Sequence, residues 1–346
     1  MLQPRIRTLL IDDCKITCAA FGIFLRKDPD LELVGTAFGG EEGIQAARQL
    51  RPDVIVTDMD MPVCDGVDVV RTVMREMPTP VVLLSALEKE HPKIFEALNA
   101  GAFDFLSKEQ VTSSRHQPQP PLNTLIKTAN QVALKKVKDW KVNRNTLVHS
   151  FDALPQYEVI AIGASTGGPA AVEALLCALP ANLNIPVIIA QHMPEYFLLA
   201  FAQRLDKISP LRVKVAERGE VLRGGTVYVV PGHTNTHVAR EGVRQEPIIR
   251  FTRKQYEAFN HPSIDGLFCS LARVYGAKTI GVVLTGMGRD GTEGLRAIQQ
   301  QQGYTIAQDE ASSVVFGMPK YASDSGVVQQ TLHLREIPGF LVSCLS

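Results

Sequence analysis

The sequence predicts two α/β domains in tandem, each built on a doubly wound parallel sheet. Three observations carry that expectation. At roughly 150 residues per domain, 346 residues are more than one domain needs. Short β-rich runs alternate with amphipathic stretches, which is the rhythm of βαβ units, and the alternation occurs twice. Between the two series lies a stretch without clear periodicity. Residues 1–140 are therefore expected as one domain, 141–156 as a linker, and 157–346 as the second domain.

In the first series Thr8–Ile11, Leu33–Ala37, Val54–Thr57, Val81–Leu84 and Ala102–Leu106 read as strands, with an amphipathic helix such as Glu41–Leu50 between them. A closing helix is expected over Leu122–Trp140, where Leu122, Leu125, Ile126, Ala129, Ala133 and Val137 recur at helical spacing. The polar, proline-rich segment Ser113–Pro121 ahead of it reads as a loop. Lys135, Lys136, Lys138, Lys141 and Arg144 form a basic cluster, read as a solvated face, with docking to an acidic partner as the alternative. From Tyr157 the second series gives strands at Glu158–Ile162, Val187–Gln191, Val213–Ala216, Thr226–Val230 and Thr279–Leu284. Helices are expected at Pro169–Ala178 and Thr292–Gln301, and no internal repeat is evident.

Composition narrows the function classes. Apolar residues at 45% and charged residues at 21% exclude disorder as the dominant state. The 36 basic residues balance 36 acidic ones, which argues against nucleic-acid wrapping. Six scattered cysteines suit reduced thiols in the cytoplasm better than a disulfide framework. Cys14 and Cys18 have helical spacing, but no second pair completes a zinc set. No apolar run approaches a membrane helix, and Thr8–Ile11 is too short for a signal-peptide core. A cytoplasmic protein without membrane insertion is expected.

Chemistry-bearing residues follow the strands of the first domain. Asp12 and Asp13 follow the first strand, Asp58 the third, Ser85 the fourth and Lys108 the fifth. In an open parallel sheet those loops gather at one edge. Clustered carboxylates repel one another unless a cation neutralises them, and hard oxygen donors suit Mg²⁺. A carboxylate beside Mg²⁺ and a lysine is set up to attack phosphorus. The competing reading makes Asp12 and Asp13 simple helix caps.

Residues 1–140 resemble a response-regulator receiver domain, a flavodoxin-like five-stranded fold. Its phosphoacceptor motif stands here as Asp58-Met59-Asp60-Met61-Pro62-Val63-Cys64-Asp65-Gly66. The resemblance implies that Asp58 accepts a phosphoryl group from a histidine kinase. It further implies that Asp12, Asp13, Asp58 and the Asp60 carbonyl surround Mg²⁺. Ser85 and Lys108 would contact the phosphate, and Phe105 would be the switching aromatic. The family usually has Lys-Pro at the lysine, but Glu109 follows Lys108, so a differently shaped loop is expected.

In the second domain Val159-Ile160-Ala161-Ile162 runs into Gly163-Ala164-Ser165-Thr166-Gly167-Gly168 and then Pro169. Strand, G-x-S-x-G and helix is the layout of a nucleophile elbow. Pro169 suits a first helical turn, and neither a Walker A loop nor a G-x-G-x-x-G fingerprint fits. A serine nucleophile needs a base and a group that orients it. His192 follows the strand Val187–Gln191, and Asp290 lies in the glycine-rich loop after Thr279–Leu284. His233 and His237 suggest a metal pair, but without a third ligand a surface loop is the expected reading. Arg253, Tyr256 and the His261 segment are candidates for the border of a substrate groove.

The chain order Ser, His, Asp departs from α/β-hydrolases. Residues 157–346 instead resemble the catalytic domain of the CheB family, the chemotaxis protein-glutamate methylesterases. The matching segments are Gly163–Gly168, Gln191–Pro194, His261–Asp265, Leu284–Gly291 and Ala307–Pro319. The resemblance implies hydrolysis of glutamate γ-methyl esters, with glutamine deamidation, on the cytoplasmic domain of chemoreceptors, giving sensory adaptation. Ser165, His192 and Asp290 would be catalytic, and the N–H groups of Thr166 and Met287 would form the oxyanion hole. No metal is expected for the hydrolysis itself. A monomer is expected, with the unphosphorylated receiver covering the Ser165 cleft and phosphorylation at Asp58 releasing it. A binding protein with a degenerate site would have lost one of the three residues. A DNA-binding regulator would carry a basic domain.

Overall fold

The structure is a computed structural model, described here for residues 4–86, 93–113, 121–132, 157–243, 245–259 and 261–344. The chain divides into two compact units, 1–140 and 141–346. Among the described residues no helix is long and apolar enough to cross a membrane.

The first unit alternates strand and helix: β1 Ile6–Ile11, α1 Lys15–Lys27, β2 Leu31–Ala37, α2 Gly40–Leu50, β3 Val54–Asp58, α3 Gly66–Glu76, β4 Val81–Ser85, α4 Lys93–Ala100, β5 Asp104–Ser107, α5 Lys108–Ser113 and α6 Pro121–Gln131. The strands form one sheet in the order β2-β1-β3-β4-β5, all parallel. The central strands β3 and β4 are buried at every position. That is why they read as continuous apolar runs rather than as alternations. The order reverses direction between β1 and β3, so the crevice beyond their carboxyl ends lies at a switch point. Asp65 caps α3, its carboxylate accepting from the Val67 and Asp68 N–H groups at 3.0 and 3.1 Å.

The second unit opens with β6 Val159–Ala164, α7 Gly168–Cys177, β7 Val187–Gln191, α8 Glu195–Ile208, β8 Arg212–Val215 and β9 Thr226–Val229. An antiparallel hairpin follows, β10 Asn235–Glu241 with β11 Glu246–Thr252. Then come α9 Ile264–Tyr275, β12 Thr279–Val283, α10 Thr292–Gln300, β13 Tyr304–Gln308, α11 Met318–Asp324, β14 Gln330–Leu332 and α12 Ile337–Ser343. Seven strands make a parallel sheet in the order β14-β13-β12-β6-β7-β9-β8. Its direction reverses between β6 and β12, which places their carboxyl ends at a second switch point.

Every expected strand is present, with ends shifted by one or two residues; Ala102 and Phe103 lie ahead of β5, which starts at Asp104. The closing helix of the first unit is described only to Gln131, starting at Pro121. Most of the proline-rich loop, the basic cluster and the linker fall outside the described residues. One reading is corrected. His237 does not lie in a surface loop: it stands in β10 opposite Arg250. Burial, helped by Arg273 and Arg250, holds its imidazole below the usual histidine range. His233 pairs with Glu195 at 3.0 Å instead of joining a ligand set.

Candidate active site and acidic pocket

Strand register brings the second unit's candidates together. In the β6–β7 ladder Ala164 stands beside Gln191, and the His192 N–H donates to the Ala164 carbonyl at 2.9 Å. Ser165 and His192 are therefore the first residues beyond two paired strand ends. On the other side β12 pairs with β6, and the Ser165 N–H donates to the Thr285 carbonyl at 3.0 Å. The turn after Ser165 needs glycine. Gly167 has φ +74°, and a Cβ there would lie 2.5 Å from Cβ of Val314. Gly286 lies so close that a Cβ would come within 2.7 Å of Ser165 Cβ.

His192 and Asp290 are in contact. The imidazole Nε2 lies 2.8 Å from Asp290 Oδ2, with both side chains almost fully buried. Phe259 stacks on the ring face at 3.7 Å between centroids. Asp290 is itself fixed by backbone donors. Its carboxylate accepts from Ile264 N–H at 2.7 Å, Asp265 N–H at 3.0 Å and Gly291 N–H at 3.1 Å. Two of those donors open α9, and a helix start is a natural seat for negative charge.

Several supporting residues escaped the sequence reading. Gln191 donates through Nε2 to the Ser165 carbonyl at 2.9 Å and the His192 carbonyl at 3.1 Å. Gln308 accepts from Thr285 N–H at 2.8 Å, and the Thr285 hydroxyl donates to the Thr166 carbonyl at 2.9 Å. Gln308 thus props the loop that backs Ser165, which gives the Ala307–Pro319 segment a physical role. Asn235 Oδ1 accepts from His261 N–H at 2.9 Å and Ser263 N–H at 2.8 Å, steadying the approach to α9. Of the suggested groove residues, Tyr256 packs against Gly266, and Lys254 lies over its ring at 5.2 Å. The neighbouring Glu257 is hydrogen-bonded to Arg289. Arg253 is exposed.

In the first unit the acidic pocket forms at the expected strand ends. Asp12, Asp13 and Asp58 each present a carboxylate oxygen, all within 4.8 Å of one another. Lys108 Nζ lies 2.7 Å from Asp12 and 2.9 Å from Asp58. Burial pushes Asp58 up to about 6, with Lys108 opposing the shift and Asp12 adding to it. Burial alone would lower Lys108, but its contacts with Asp12 and Asp58 outweigh that and raise it. Glu109 in place of proline lets α5 begin at Lys108, and the ammonium group still enters the pocket. Ser85 ends β4 fully buried, and Phe105 is buried in β5. The Asp60 side chain is exposed and stands outside the carboxylate cluster. Three clustered carboxylates, two of them paired with Lys108, offer hard oxygen donors of the kind that suit Mg²⁺.

Comparison with known proteins agrees over the whole chain. The CheB methylesterase family model matches residues 160–341, and the response regulator receiver domain model matches residues 8–115. A Pyrococcus abyssi protein named protein-glutamate methylesterase/protein-glutamine glutaminase is 36% identical, over 98% of this chain and 93% of its own. A Desulfitobacterium hafniense protein of the same name is 35% identical over 100% of this chain and 99% of its own. The crystal structure of the Thermotoga maritima CheB methylesterase catalytic domain superposes with a TM-score of 0.51 at 35% identity, covering 54% of this chain and 98% of that one. With a receiver domain ahead of a methylesterase domain in one chain, the protein belongs to the CheB methylesterase family.

Proposed function

We propose that the chain hydrolyses glutamate γ-methyl esters on the cytoplasmic domains of chemoreceptors, and deamidates glutamines there, under control of phosphorylation at Asp58. The observation that carries the hydrolytic half is the buried 2.8 Å contact of His192 with Asp290, next to the turn that presents Ser165. Ser165 Oγ attacks the side-chain carbonyl carbon and gives its proton to His192 Nδ1. Asp290 holds Nε2–H and stabilises the imidazolium that results. The proton passes to the departing methoxide, releasing methanol, or to the amide nitrogen, releasing ammonia. Water then attacks the glutamyl ester, giving one proton to His192, which returns it to Ser165 Oγ as the carboxylic acid leaves and ionises in solvent. The oxyanion is received by the N–H groups of Thr166 and Met287. Their neighbours Ser165 and Gly286 already donate to Thr285 and Val315, both at 3.0 Å.

In the receiver, Asp58 is the phosphoacceptor and a histidine kinase the donor. Asp12, Asp13 and Asp58, with the Asp60 carbonyl, would hold Mg²⁺, which when bound neutralises charge on the transferred phosphoryl group. Lys108 is positioned to pair with a phosphoryl oxygen once it leaves Asp58, with Ser85 and Phe105 sensing the change. A cytoplasmic location fits this substrate. The test is methanol release from methylated receptor cytoplasmic fragments. Ser165→Ala should abolish it while leaving the fold intact, and a folded variant that keeps most activity would overturn the assignment.

A further inference from the structure

We propose that Asp265 is a positioning residue for Asp290, acting through a reciprocal exchange of carboxyl groups between the starts of two helices. This rests on the triad reading above. The opening N–H groups of a helix have no partner within it. Those of Ile264 and Asp265, at the start of α9, are taken by Asp290, at 2.7 and 3.0 Å. Asp290 lies just ahead of α10, and the N–H groups of Gly291 and Gly294 at that helix's start are taken by Asp265 Oδ1, at 2.9 and 2.8 Å. Each helix is therefore capped by the acid that belongs to the other. A shift of either helix start would carry Asp290 away from His192.

The two carboxyl groups also converge on one donor, the Gly291 N–H, which lies 2.9 Å from Asp265 Oδ1 and 3.1 Å from Asp290 Oδ1, and both are buried. Two buried carboxylates converging on one N–H repel each other, so the arrangement favours a proton on one of them. Asp290 already serves His192 and three backbone N–H groups. When Asp265 is protonated, its O–H can donate to Asp290. Consistent with this, burial and then the charge of Asp290 hold Asp265 well above the usual carboxylate range. The titratable groups facing Asp265 are Asp290 and, on its own helix, Cys269. Arg273, Glu293 and Lys254 act on Cys269 from further out. Loss of the Asp265 proton would set a second negative charge beside Asp290 and break their hydrogen bond.

The experiment compares the full-length wild type with Asp265→Asn, Asp265→Ala and Ser165→Ala, following methanol release from methylated receptor fragments across the pH range, with circular dichroism on each protein. Asp265→Ala should lower kcat by about 10–100-fold with little change in KM, since a small displacement of a catalytic group costs that much. Asp265→Asn retains a donor for Asp290 and an acceptor for Gly291 and Gly294. Its kcat should stay close to wild type, and it should lack the decline that wild type shows on the alkaline side. A folded Asp265→Ala with wild-type kcat, an Asp265→Asn as slow as Asp265→Ala, or an Asp265→Asn with the wild-type alkaline decline would each overturn the inference. If Asp265→Ala fails to fold, the profile of Asp265→Asn decides. Loss of release in Ser165→Ala keeps the triad standing, so those outcomes then count against Asp265 alone. Retained release in Ser165→Ala removes the triad and this inference with it.

Discussion

Single residues in this chain are constrained by how closely their neighbours approach. Gly286 lies against Ser165 so tightly that a methyl group would come within 2.7 Å of Ser165 Cβ and 2.5 Å of Met318 Sδ. The methionine can move aside, but Ser165 is fixed by backbone bonds to Thr285 and Gly168. Gly286→Ala should therefore fold, displace the nucleophile and lower kcat on the order of 10²-fold, read as methanol release beside an unchanged circular-dichroism spectrum. Asp58 makes a different residue-scale prediction. Its folded-state value of about 6 lies above the ordinary 3.8, so its charge is a net cost in the folded receiver. The stability it contributes is fully present below the unfolded value and is lost as pH rises through about 6. In chelator, Asp58→Asn should raise the receiver's melting midpoint by several degrees at neutral pH. That gain should vanish as pH falls towards 4. An unchanged midpoint at neutral pH would mean that Lys108 fully compensates the buried charge.

At the scale of elements, the His192–Asp290 contact depends on a helix, α9, that the sequence motifs alone do not single out. The signal for α9 was present: Ser263 is an N-cap residue, and Ile264, Leu267, Phe268, Leu271 and Ala272 recur at helical spacing. The His261–Asp265 motif marks this segment in the sequence, but its role in seating Asp290 is visible only in the fold. Strand ends were legible because parallel strands buried on both faces are unbroken apolar runs, and Ser165, His192, Asp12 and Asp58 follow such runs directly. The β10–β11 hairpin was not legible. Thr234, Asn235 and Thr236 look like turn residues in sequence, whereas in the fold all three are buried. Asn235 shows why. It accepts from His261 and Ser263 N–H groups and donates to the Lys254 carbonyl at 2.7 Å, tying the hairpin to the approach of α9. Asn235→Ala would strand those buried groups, at about 1–3 kcal/mol for an unsatisfied one. Its urea midpoint should fall and its kcat should fall with it, because α9 carries the donors that hold Asp290. A loss of stability with wild-type kcat would show that α9 holds its place without the hairpin.

For the whole molecule, the two units each have a parallel sheet, a buried core and a set of chemical groups at a switch point. The esterase unit draws every described contact of Ser165, His192 and Asp290 from its own elements, so it should fold and act without the receiver. On the function proposed above, the unphosphorylated receiver would hold down an intrinsically competent enzyme and phosphorylation would release it. The energy required is small: raising the active fraction from 1% to 50% takes only about 2.7 kcal/mol. Tethering in one chain keeps the units at high effective concentration, so a weak interaction suffices. Removing residues 1–150 should therefore raise basal methanol release. A small-molecule phosphodonor should activate the full-length protein and leave the truncated one unchanged. Asp58→Ala should lose the activation. Lys108 reaches Asp12 and Asp58 with Glu109 following it in α5, so the phosphoryl group should be sensed as well as accepted. The decisive measurement is phosphorylation stoichiometry against esterase rate in the same samples: the two should rise together. Full labelling of Asp58 at an unchanged rate would show that the receiver accepts phosphate without governing the esterase, even with the triad correct.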